Sequence, residues 1–410
     1  MITLFWASSA VLVHTYVGFP VTVLARARLH PRPHHEAPVT PIVSVIIAAH
    51  DEAAVIGNKV RSVLESDYPA DALEVIVVSD GSSDATVEQT LAIGDPRVRL
   101  IALDRVGKAI ALNSGIRAAT GEVLVFSDAN SHFDRSTLRS LMRPFADPTV
   151  GGVAGDQRYL PAGVDPEATM QGERWYWDFD RTLKRAESSS GNVVSATGAL
   201  YAVRRDLVSS VPDGVTDDFY QSTGVIARGR RLVFAPDAFV HEPLAGSADA
   251  EFRRKVRVMT RGLQAVARRR VLLDPSRHGF YAYQLFNHKV LRRLMALPLA
   301  TLFMASIGCR DRGAFYRLAL ASQLVIYGTG VAALVRPTGR VARSRPGAAA
   351  GYFCLVNAAG MTAAHHTLTG RKIVSWVPER EEDAKRSDGG TTAATIGPAT
   401  FAEPRRAAVS

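Results

Sequence analysis

An uncharged apolar run near the start of the sequence constrains this chain most strongly. Residues 2–24 contain no Asp, Glu, Lys or Arg, and as an α-helix they would extend roughly 34 Å, more than a hydrocarbon core of about 30 Å. A cleaved signal peptide is the alternative, because residues 25–27 (Ala-Arg-Ala) resemble a small-residue cleavage site. The first Lys or Arg residues follow the run, at Arg26, Arg28 and Arg32. The positive-inside rule therefore favours a membrane anchor that leaves the next domain in the cytosol.

Three more apolar stretches lie towards the end of the sequence, at residues 294–309, 318–335 and 348–364. Each is near or below the usual spanning length of about 20 residues, so a position in the membrane interface is open for one of them. The two cysteines, Cys309 and Cys354, fall inside these stretches. Their number and placement argue against a disulfide framework.

The net charge of +10 comes from 49 Lys and Arg residues against 39 Asp and Glu. Eight cations crowd the segment before the second apolar block: Arg253, Arg254, Lys255, Arg257, Arg261, Arg268, Arg269 and Arg270. Juxtamembrane basic clusters are attracted to anionic lipid head groups by about 1 kcal/mol per residue. No helix-turn-helix, zinc-finger or RNP-like aromatic pattern accompanies them. The predicted partners of this cluster are therefore membrane lipids, and no nucleic acid.

Strand and helix patterns alternate between residues 42 and 130. Residues Val43–Ala49 form a nearly continuous apolar run, which is typical of a parallel strand covered on both faces. Further β-rich runs occupy residues 73–78, 98–102 and 123–126, with apolar residues at helical spacing between them. This alternation predicts an α/β domain with a mostly parallel sheet and flanking helices.

Polar residues cluster where three of these strands end. They are residues 50–52 (His-Asp-Glu), 80–84 (Asp-Gly-Ser-Ser-Asp) and 128–130 (Asp-Ala-Asn). The ligand crevice of an open α/β sheet lies beyond the carboxyl ends of its strands. Helix capping is the alternative for each cluster, because Asp, Ser and Asn favour helix N-termini. Capping alone does not account for an acid at three successive strand ends, so this edge is the predicted site.

Four motifs in this order carry a family resemblance: residues 43–52, residues 78–84, Gly107-Lys108 with residues 111–115, and residues 126–130. They resemble family 2 glycosyltransferases, and within that family the membrane-bound polysaccharide synthases related to hyaluronan and cellulose synthases. The resemblance covers roughly residues 40–270 and the apolar flanks. It implies a GT-A fold, a nucleotide-diphosphate sugar donor, a divalent metal ion (Mg²⁺ or Mn²⁺) and inversion at the anomeric carbon.

The resemblance assigns Glu52 and Asp80 to the base and ribose of the donor, and Lys108 to support of the nucleotide. The full set of donor-binding candidates is His50, Glu52, Asp80, Lys108, Asn113, Asp128, Arg257 and Arg261. Asp128 would be the first acid of the metal-binding Asp-x-Asp motif. The third position of that motif is Asn130 here, whose carbonyl is still a hard oxygen ligand but carries no charge.

Residues 216–218 (Thr-Asp-Asp) resemble the Thr-Glu-Asp motif of the family, whose last acid is the catalytic base. Asp218, with Asp217 beside it, is therefore the catalytic candidate. The alternative is an acid in the first turn of a helix, stabilised by the helix dipole. Gly198 and Ala199 resemble the loop that receives the acceptor, although Gly198 is also explained by a strand bend. His241 is a further metal-ligand candidate, against a purely structural role.

Residues 254–258 stand where the family has Gln-x-x-Arg-Trp, and both Gln and Trp are missing. In processive synthases this Trp stacks on the acceptor, so single addition is an open alternative to chain extension. Arg257 and Arg261 are interpreted equally well as diphosphate ligands or as membrane-surface charge.

The sequence predicts a membrane-bound inverting transferase that moves a sugar, with UDP as the favoured carrier, to a polysaccharide or lipid-linked acceptor. A non-catalytic nucleotide-sugar sensor is the alternative from another class. The predicted location is the plasma membrane, with several spans and a cytoplasmic catalytic domain. The predicted segments are an anchor (1–30), a linker (31–41), a GT-A domain (42–272), an interfacial segment (273–293), membrane helices (294–369) and a polar, disordered tail (370–410).

Overall fold

The computed structural model describes residues 1–160, 167–243 and 248–371. The predicted tail lies almost entirely outside the described residues. The strands are β1 (Val43–Ala49), β2 (Leu73–Asp80), β3 (Val98–Leu103), β4 (Val123–Phe126), β5 (His132–Phe133), β6 (Val150–Leu160), β7 (Tyr201–Arg204) and β8 (Arg231–Pro243).

The α-helices before residue 240 are α1 (Ile2–Val13), α2 (Phe19–Leu29), α3 (Ala53–Leu64), α4 (Thr86–Leu91), α5 (Lys108–Ala118), α6 (Thr137–Met142), α7 (Glu167–Ser190) and α8 (Asp217–Ala227). Those after it are α9 (Ala248–Arg268), α10 (Pro275–His278), α11 (Phe280–Leu285), α12 (Ala296–Cys309), α13 (Ala314–Val335), α14 (Arg340–Arg343) and α15 (Arg345–Leu368).

The strands form one sheet in the order β3-β2-β1-β4-β7-β6-β8-β5. The first four strands are parallel, as predicted, and β1 and β4 have the predicted bounds. The other half of the sheet is mixed, because β7 runs antiparallel to both β4 and β6 while β8 runs parallel to β6. The α/β prediction is therefore confirmed, and its parallel character is concentrated in the half that precedes residue 130.

Alternate residues of β1 serve two hydrophobic cores, one on each face of the sheet. Val45 and Ile47 belong to the core under α3 and α6, whereas Ile46 and Ala48 belong to the core under α5, α8 and α9. All seven residues of β1 are buried. This two-sided burial explains why the strand is apolar throughout rather than alternating. The parallel pairing of β1 with β2 and β4 places the carboxyl ends of these three strands side by side.

Two helices in the described part of the chain are long and apolar enough to cross a membrane: Ile2–Leu29, which joins α1 and α2 through a π-helical turn, and Ala314–Val335. A bent pair, Phe280–Leu294 with Ala296–Arg312, would add a third if its 53° bend lies within one span. The predicted stretch at 348–364 forms the longer helix α15, which does not meet the same length and hydropathy test among the described residues.

The first helix packs against the later apolar segments. His14 Nε2 lies 2.9 Å from Asn287 Oδ1, and the Trp6 ring stacks on Phe315 with centroids 5.7 Å apart. These contacts join segments near the two ends of the described chain, so the sheet is inserted between helices that pack together.

Candidate active site

Asp80, the last residue of β2, organises the loop before α5. Its fully buried carboxylate accepts hydrogen bonds from the backbone N–H groups of Val106 and Gly107, each at 2.8 Å. Arg105 adds an ion pair at 2.9 Å. Gly107 has φ +92°, a backbone conformation that favours glycine. Asp80, which is predicted to bind the sugar donor, therefore shapes the loop before α5, the helix that carries Lys108.

His50 and Asp51 join the ends of β1 and β2. His50 Nδ1 lies 2.8 Å from the Asp80 carbonyl oxygen, and His50 Nε2 lies 3.3 Å from Asp51 Oδ2. Asp51 adopts φ +52° and accepts a 2.6 Å hydrogen bond from the Ser83 backbone N–H. The backbone N–H of Glu52 donates to Thr86 Oγ1 at 2.8 Å. The first two predicted strand-end clusters are thus one connected network.

Lys108 connects the third strand-end cluster to α8. Its ammonium lies 2.8 Å from Asp128 Oδ1 and 3.4 Å from Asp217 Oδ1. Burial opposes its charge, but Asp128 and Asp217 outweigh burial and raise the pKa of Lys108. Burial raises the pKa of Asp128, but the Lys108 charge and hydrogen bond outweigh it and leave a net lowering. Three predicted residues from three separate segments therefore meet as a charged cluster.

Asp218 lies in the first turn of α8 and is half-buried. Burial, together with repulsion from Asp217, raises the pKa of Asp218 to about 6. Thr216 precedes the helix, but its side chain makes no capping hydrogen bond. The raised pKa makes Asp218 a better proton acceptor near neutral pH than an ordinary carboxylate.

The Gly198-Ala199 loop lies against the loop that carries Asp128. A Cβ atom at Gly198 would come within 3.0 Å of Asp128 Oδ2, so a larger residue there would crowd this carboxylate. The Ser127 hydroxyl donates to the Ala199 carbonyl oxygen at 2.6 Å. Asn130, the other predicted metal ligand, is exposed at the end of the same turn. The acceptor and metal candidates are therefore neighbours.

Two arginines of α9 extend the charged cluster. Arg257 acts electrostatically on Asp128, and Arg261 acts on Asp217. Burial, with a further contribution from Arg257, lowers the pKa of Arg261. Both arginines predicted to bind the diphosphate thus lie near the site carboxylates. Their position on α9 is also compatible with the alternative of membrane-surface charge.

Asn113 and His241 have other partners. The Asn113 amide donates to the Val211 carbonyl oxygen at 2.9 Å, and its carbonyl accepts from the Val211 N–H at 2.8 Å. These two hydrogen bonds join α5 to the loop before α8. Asn113 therefore has a structural role, and any contact with the sugar donor would come in addition to it. The charged groups that interact electrostatically with His241 include Arg158 and Asp134. Glu242, the next residue of β8, interacts electrostatically with Asp128. Successive strand residues face opposite sides, so His241 lies on the side away from Asp128.

Lys59 is a buried site residue that the motif reasoning missed. Its side chain is only 2% exposed, and its ammonium donates to Ser127 Oγ and to the Ser131 carbonyl oxygen, each at 2.6 Å. Burial lowers its pKa to about 7, although Asp128 and Glu242 counteract this. The available signal was a lysine on the apolar face of α3, between Ile56 and Val63 at helical spacing.

The described residues contain no group of three or more His, Cys, Asp or Glu side chains arranged to hold a metal ion. Asp128 and Asn130 nevertheless offer two oxygen donors on one turn. Such a pair is typical of a Mg²⁺ or Mn²⁺ site that is completed by water and by phosphate oxygens of the substrate. The residues present therefore fit a divalent ion held jointly with a diphosphate.

Comparisons with known proteins agree with this geometry. Residues 44–210 match the family described as Glycosyl transferase family 2. Glycosyltransferase AglD of Haloferax volcanii is 31% identical over 201 residues, which cover 47% of this chain and 31% of AglD. The poly-beta-1,6-N-acetyl-D-glucosamine synthase of Staphylococcus aureus is 26% identical over 218 residues, which cover 50% of this chain and 51% of the synthase.

A solved structure is similar over nearly the whole chain. The mannosyltransferase PcManGT from Pyrobaculum calidifontis, determined in complex with GDP-Man and Mn²⁺, is 27% identical with a TM-score of 0.67. The similarity covers 90% of this chain and 100% of PcManGT. A sheet of this order with carboxylates at its strand ends is the GT-A type of nucleotide-sugar-binding fold. Residues 44–210 of this chain are therefore similar to family 2 glycosyltransferase domains.

Proposed function

We propose that this chain is a membrane-bound, inverting glycosyltransferase that moves a sugar from a nucleotide-diphosphate sugar to a polysaccharide or lipid-linked acceptor. The observation that carries the proposal is the pair of contacts from Lys108 to Asp128 and Asp217, at 2.8 and 3.4 Å. They join the predicted donor and metal residues to the acid pair that contains the predicted base. A purely structural role for each acid would not require this convergence.

The donor would lie across the strand ends. Glu52 and Asp80 would bind the base and ribose, with His50 supporting Asp80, and the diphosphate would lie towards Asp128. Arg257 and Arg261 would bind the diphosphate, because guanidinium groups form charge-assisted hydrogen bonds to phosphate. UDP is the carrier that the sequence favours, and the GDP-Man complex of PcManGT makes GDP the second nucleotide to test.

Asp128 and Asn130 would hold Mg²⁺ or Mn²⁺. When bound, such an ion neutralises charge on the departing diphosphate. The role of this chain is to place the two oxygen donors on one turn that Lys59 and Ser127 hold in position. Mn²⁺ in the PcManGT complex supports the choice of ion.

Asp218 would accept the proton of the acceptor hydroxyl. Its pKa of about 6 keeps most of the group ionised at pH 7 while retaining more basicity than an ordinary carboxylate. Asp217 raises that pKa and contacts Lys108, so we assign it a positioning role. Gly198 and Ala199 would line the acceptor side of the cluster.

The apolar helices would anchor the enzyme in the plasma membrane with the sheet in the cytosol. The apolar lengths of Ile2–Leu29 and Ala314–Val335 support this placement, as do the arginines that follow the first span. The missing Gln and Trp in residues 254–258 favour single addition over chain extension.

The test is a donor panel with the purified full-length protein. We expect Mn²⁺-dependent release of nucleoside diphosphate from one UDP- or GDP-sugar when acceptor is present. Lys108→Met should abolish transfer, because two carboxylates lose their shared cation, whereas Arg117→Met, an exposed change on the same helix, should not. Tight nucleotide binding without turnover across the whole panel would instead support the sensor alternative.

A further inference from the structure

The stretch of chain that leads from α7 to the candidate acceptor loop is held by contacts from several other elements. We call residues 192–199 the acceptor segment. Its backbone forms neither helix nor strand. The Val193 N–H donates to the Leu232 carbonyl oxygen of β8 at 3.0 Å, and the Ala196 N–H donates to the Ser222 hydroxyl of α8 at 3.1 Å. The path of the acceptor segment is therefore set by the elements around it.

Val194, in the middle of the acceptor segment, is held through both of its backbone polar groups. Its N–H donates to Glu187 Oε2 at 3.3 Å, and its carbonyl oxygen accepts from the Tyr281 hydroxyl at 2.8 Å. Glu187 belongs to the last turn of α7, whereas Tyr281 belongs to α11. All three residues are buried. Two helices therefore clamp one peptide group in a place where water cannot substitute for either side chain.

Glu187 is an uncommon residue for so buried a position. Its side chain is 2% exposed, and its Oε1 atom has no hydrogen-bond partner among the described residues. Burial raises the pKa of Glu187 to about 8, against the opposing effect of the Val194 hydrogen bond. A buried oxygen without a partner costs free energy of folding, which an apolar side chain would avoid. The presence of this carboxyl group is explained by the N–H group that it holds.

Tyr281 connects the acceptor segment to the part of the chain that leads into the apolar helices. It lies in Phe280–Leu294, the first half of the bent pair that is apolar enough to be one span. Gln284 Nε2, one turn further along, lies 3.5 Å from the carbonyl oxygen of Asn192 at the start of the acceptor segment. The position of the acceptor segment therefore depends on α11 as well as on the sheet.

We propose that Glu187 and Tyr281 are positioning residues, which fix the acceptor segment through Val194 and so place the acceptor. This inference rests on the proposed function and extends it to two residues outside the strand-end site. Ser127, beside the metal turn, already holds the Ala199 carbonyl oxygen. A shift at Val194 would therefore alter the space next to this turn. The proposed donor and metal contacts come from other elements, so loss of the clamp should affect the acceptor and spare the donor.

The first measurement needs no acceptor. It is amide hydrogen exchange of the full-length protein in micelles of a neutral, sugar-free detergent, read on peptides that cover residues 191–200. Glu187→Leu and Tyr281→Phe each remove one bond of the clamp, so exchange in this stretch should accelerate by about tenfold. Peptides of β1 should keep their protection in both variants, which excludes misfolding. Glu187→Gln should exchange like the parent protein, because its amide oxygen still accepts from the Val194 N–H.

The second measurement separates the acceptor from the donor. The acceptor probes are dodecyl glycosides of glucose, mannose and N-acetylglucosamine, and hydrolysis of the donor is measured without them. Glu187→Leu and Tyr281→Phe should lower kcat/KM for the glycoside that the parent protein uses best by about tenfold. Donor hydrolysis and nucleotide affinity should stay at the parent level, and Glu187→Gln should retain transfer. Tyr283→Phe is the matched control, because its hydroxyl lies near His14 on the same helix, and it should have no effect on transfer.

Unchanged exchange of residues 191–200 in both Glu187→Leu and Tyr281→Phe would overturn the clamp. Faster exchange with undiminished transfer would overturn the positioning role, as would an equal loss of transfer and of nucleotide affinity. A donor panel in which the parent protein releases no nucleoside diphosphate contradicts the proposed function itself, whereas normal donor turnover with unchanged exchange in the variants contradicts only this inference.

Discussion

The Lys59 ammonium lies 2.6 Å from Ser127 Oγ, buried behind the turn that presents Asp128 and Asn130. The same ammonium bonds the Ser131 carbonyl oxygen, so one buried cation holds both ends of this turn. A lysine in such a place costs stability, because its charge is removed from water. Its position is explained by the geometry that it gives to the turn.

Lys59→Met should therefore separate stability from activity. The substitution removes a buried charge, which favours the folded state, but it also leaves the Ser131 carbonyl oxygen without this partner, so the two effects on the melting temperature oppose each other. The turn loses two hydrogen bonds, so we expect transfer to fall by at least about tenfold and the Mn²⁺ concentration for half-maximal activity to rise. Arg61→Met, an exposed change on the same helix, is the control. A variant with a lower melting temperature and an unchanged Mn²⁺ requirement would contradict the positioning role.

Asp218→Asn tests the base assignment. It keeps the shape of the side chain and removes its basicity, so transfer should fall by about 10²- to 10⁴-fold while nucleotide affinity hardly changes. The raised pKa means that the ionised form is unfavourable in the folded protein at pH 7, and the Asn variant should be no less stable there. Asp217→Asn should lose less activity. Near-normal transfer by Asp218→Asn would return this residue to a structural role in the first turn of α8.

The pH dependence follows from the same residue. Below its pKa of about 6, Asp218 is increasingly protonated and cannot accept the acceptor proton. The rate of transfer should therefore drop about tenfold per pH unit below 6 and level off above it. The test is to measure the rate of transfer with saturating donor from about pH 4.5 to about pH 8, a range that brackets this pKa. A parent profile that stays flat through pH 6, or an Asp218→Asn profile with the same acidic limb, would count against Asp218.

Asn130→Asp tests the metal turn by restoring the charge that the Asp-x-Asp pattern carries. A second carboxylate should strengthen binding of Mn²⁺, so the Mn²⁺ concentration for half-maximal activity should fall. EDTA should abolish transfer by the parent protein and Mn²⁺ or Mg²⁺ should restore it, whereas Asp128→Ala should remain inactive at any metal concentration. Full activity after chelation, or in Asp128→Ala, would remove these two residues from the proposed metal site.

The membrane topology is testable through the loop between α13 and α15. Four arginines lie between the two apolar stretches, Arg336, Arg340, Arg343 and Arg345, and the positive-inside rule assigns them to the cytosol. A cysteine at position 340, in a chain with Cys309 and Cys354 replaced by alanine, should resist a membrane-impermeant thiol reagent in intact cells. It should react once the cells are opened. Labelling in intact cells would reverse the orientation.

The first half of the sheet could be predicted because its strands are buried on both faces and end in acids. β1 and β4 needed only their apolar composition, while β2 and β3 extend two residues and one residue beyond the prediction. The antiparallel β7 was not predicted as a strand, since its four residues carry no pattern of their own. Its direction is set by pairing with β4 and β6.

The residues of the candidate site also fall into two groups, those that local motifs identify and those whose partners are distant in the sequence. Asp128 and Asp217 were found from local motifs, but Lys59 acts through residues 68 and 72 positions away. The bonds of Asn113 to Val211 span 98 positions. No local pattern encodes such separations, and the contact of Tyr281 with Val194 likewise requires the folded chain. What the sequence lacked was the tertiary contact that gives a buried polar group its partner.

The bond between His14 and Asn287 has a consequence for biosynthesis. The two residues are 273 positions apart, so the first helix leaves the ribosome long before its partner is made. During this interval the whole catalytic sheet is synthesised while one end of its surrounding helices is incomplete. A chain that stopped after residue 270 would retain the sheet and both acids of α8, yet its first helix would lack both Asn287 and Phe315 to pack against. Assembly of the helices is therefore expected to be a late event, completed only after the candidate site residues are already in the chain.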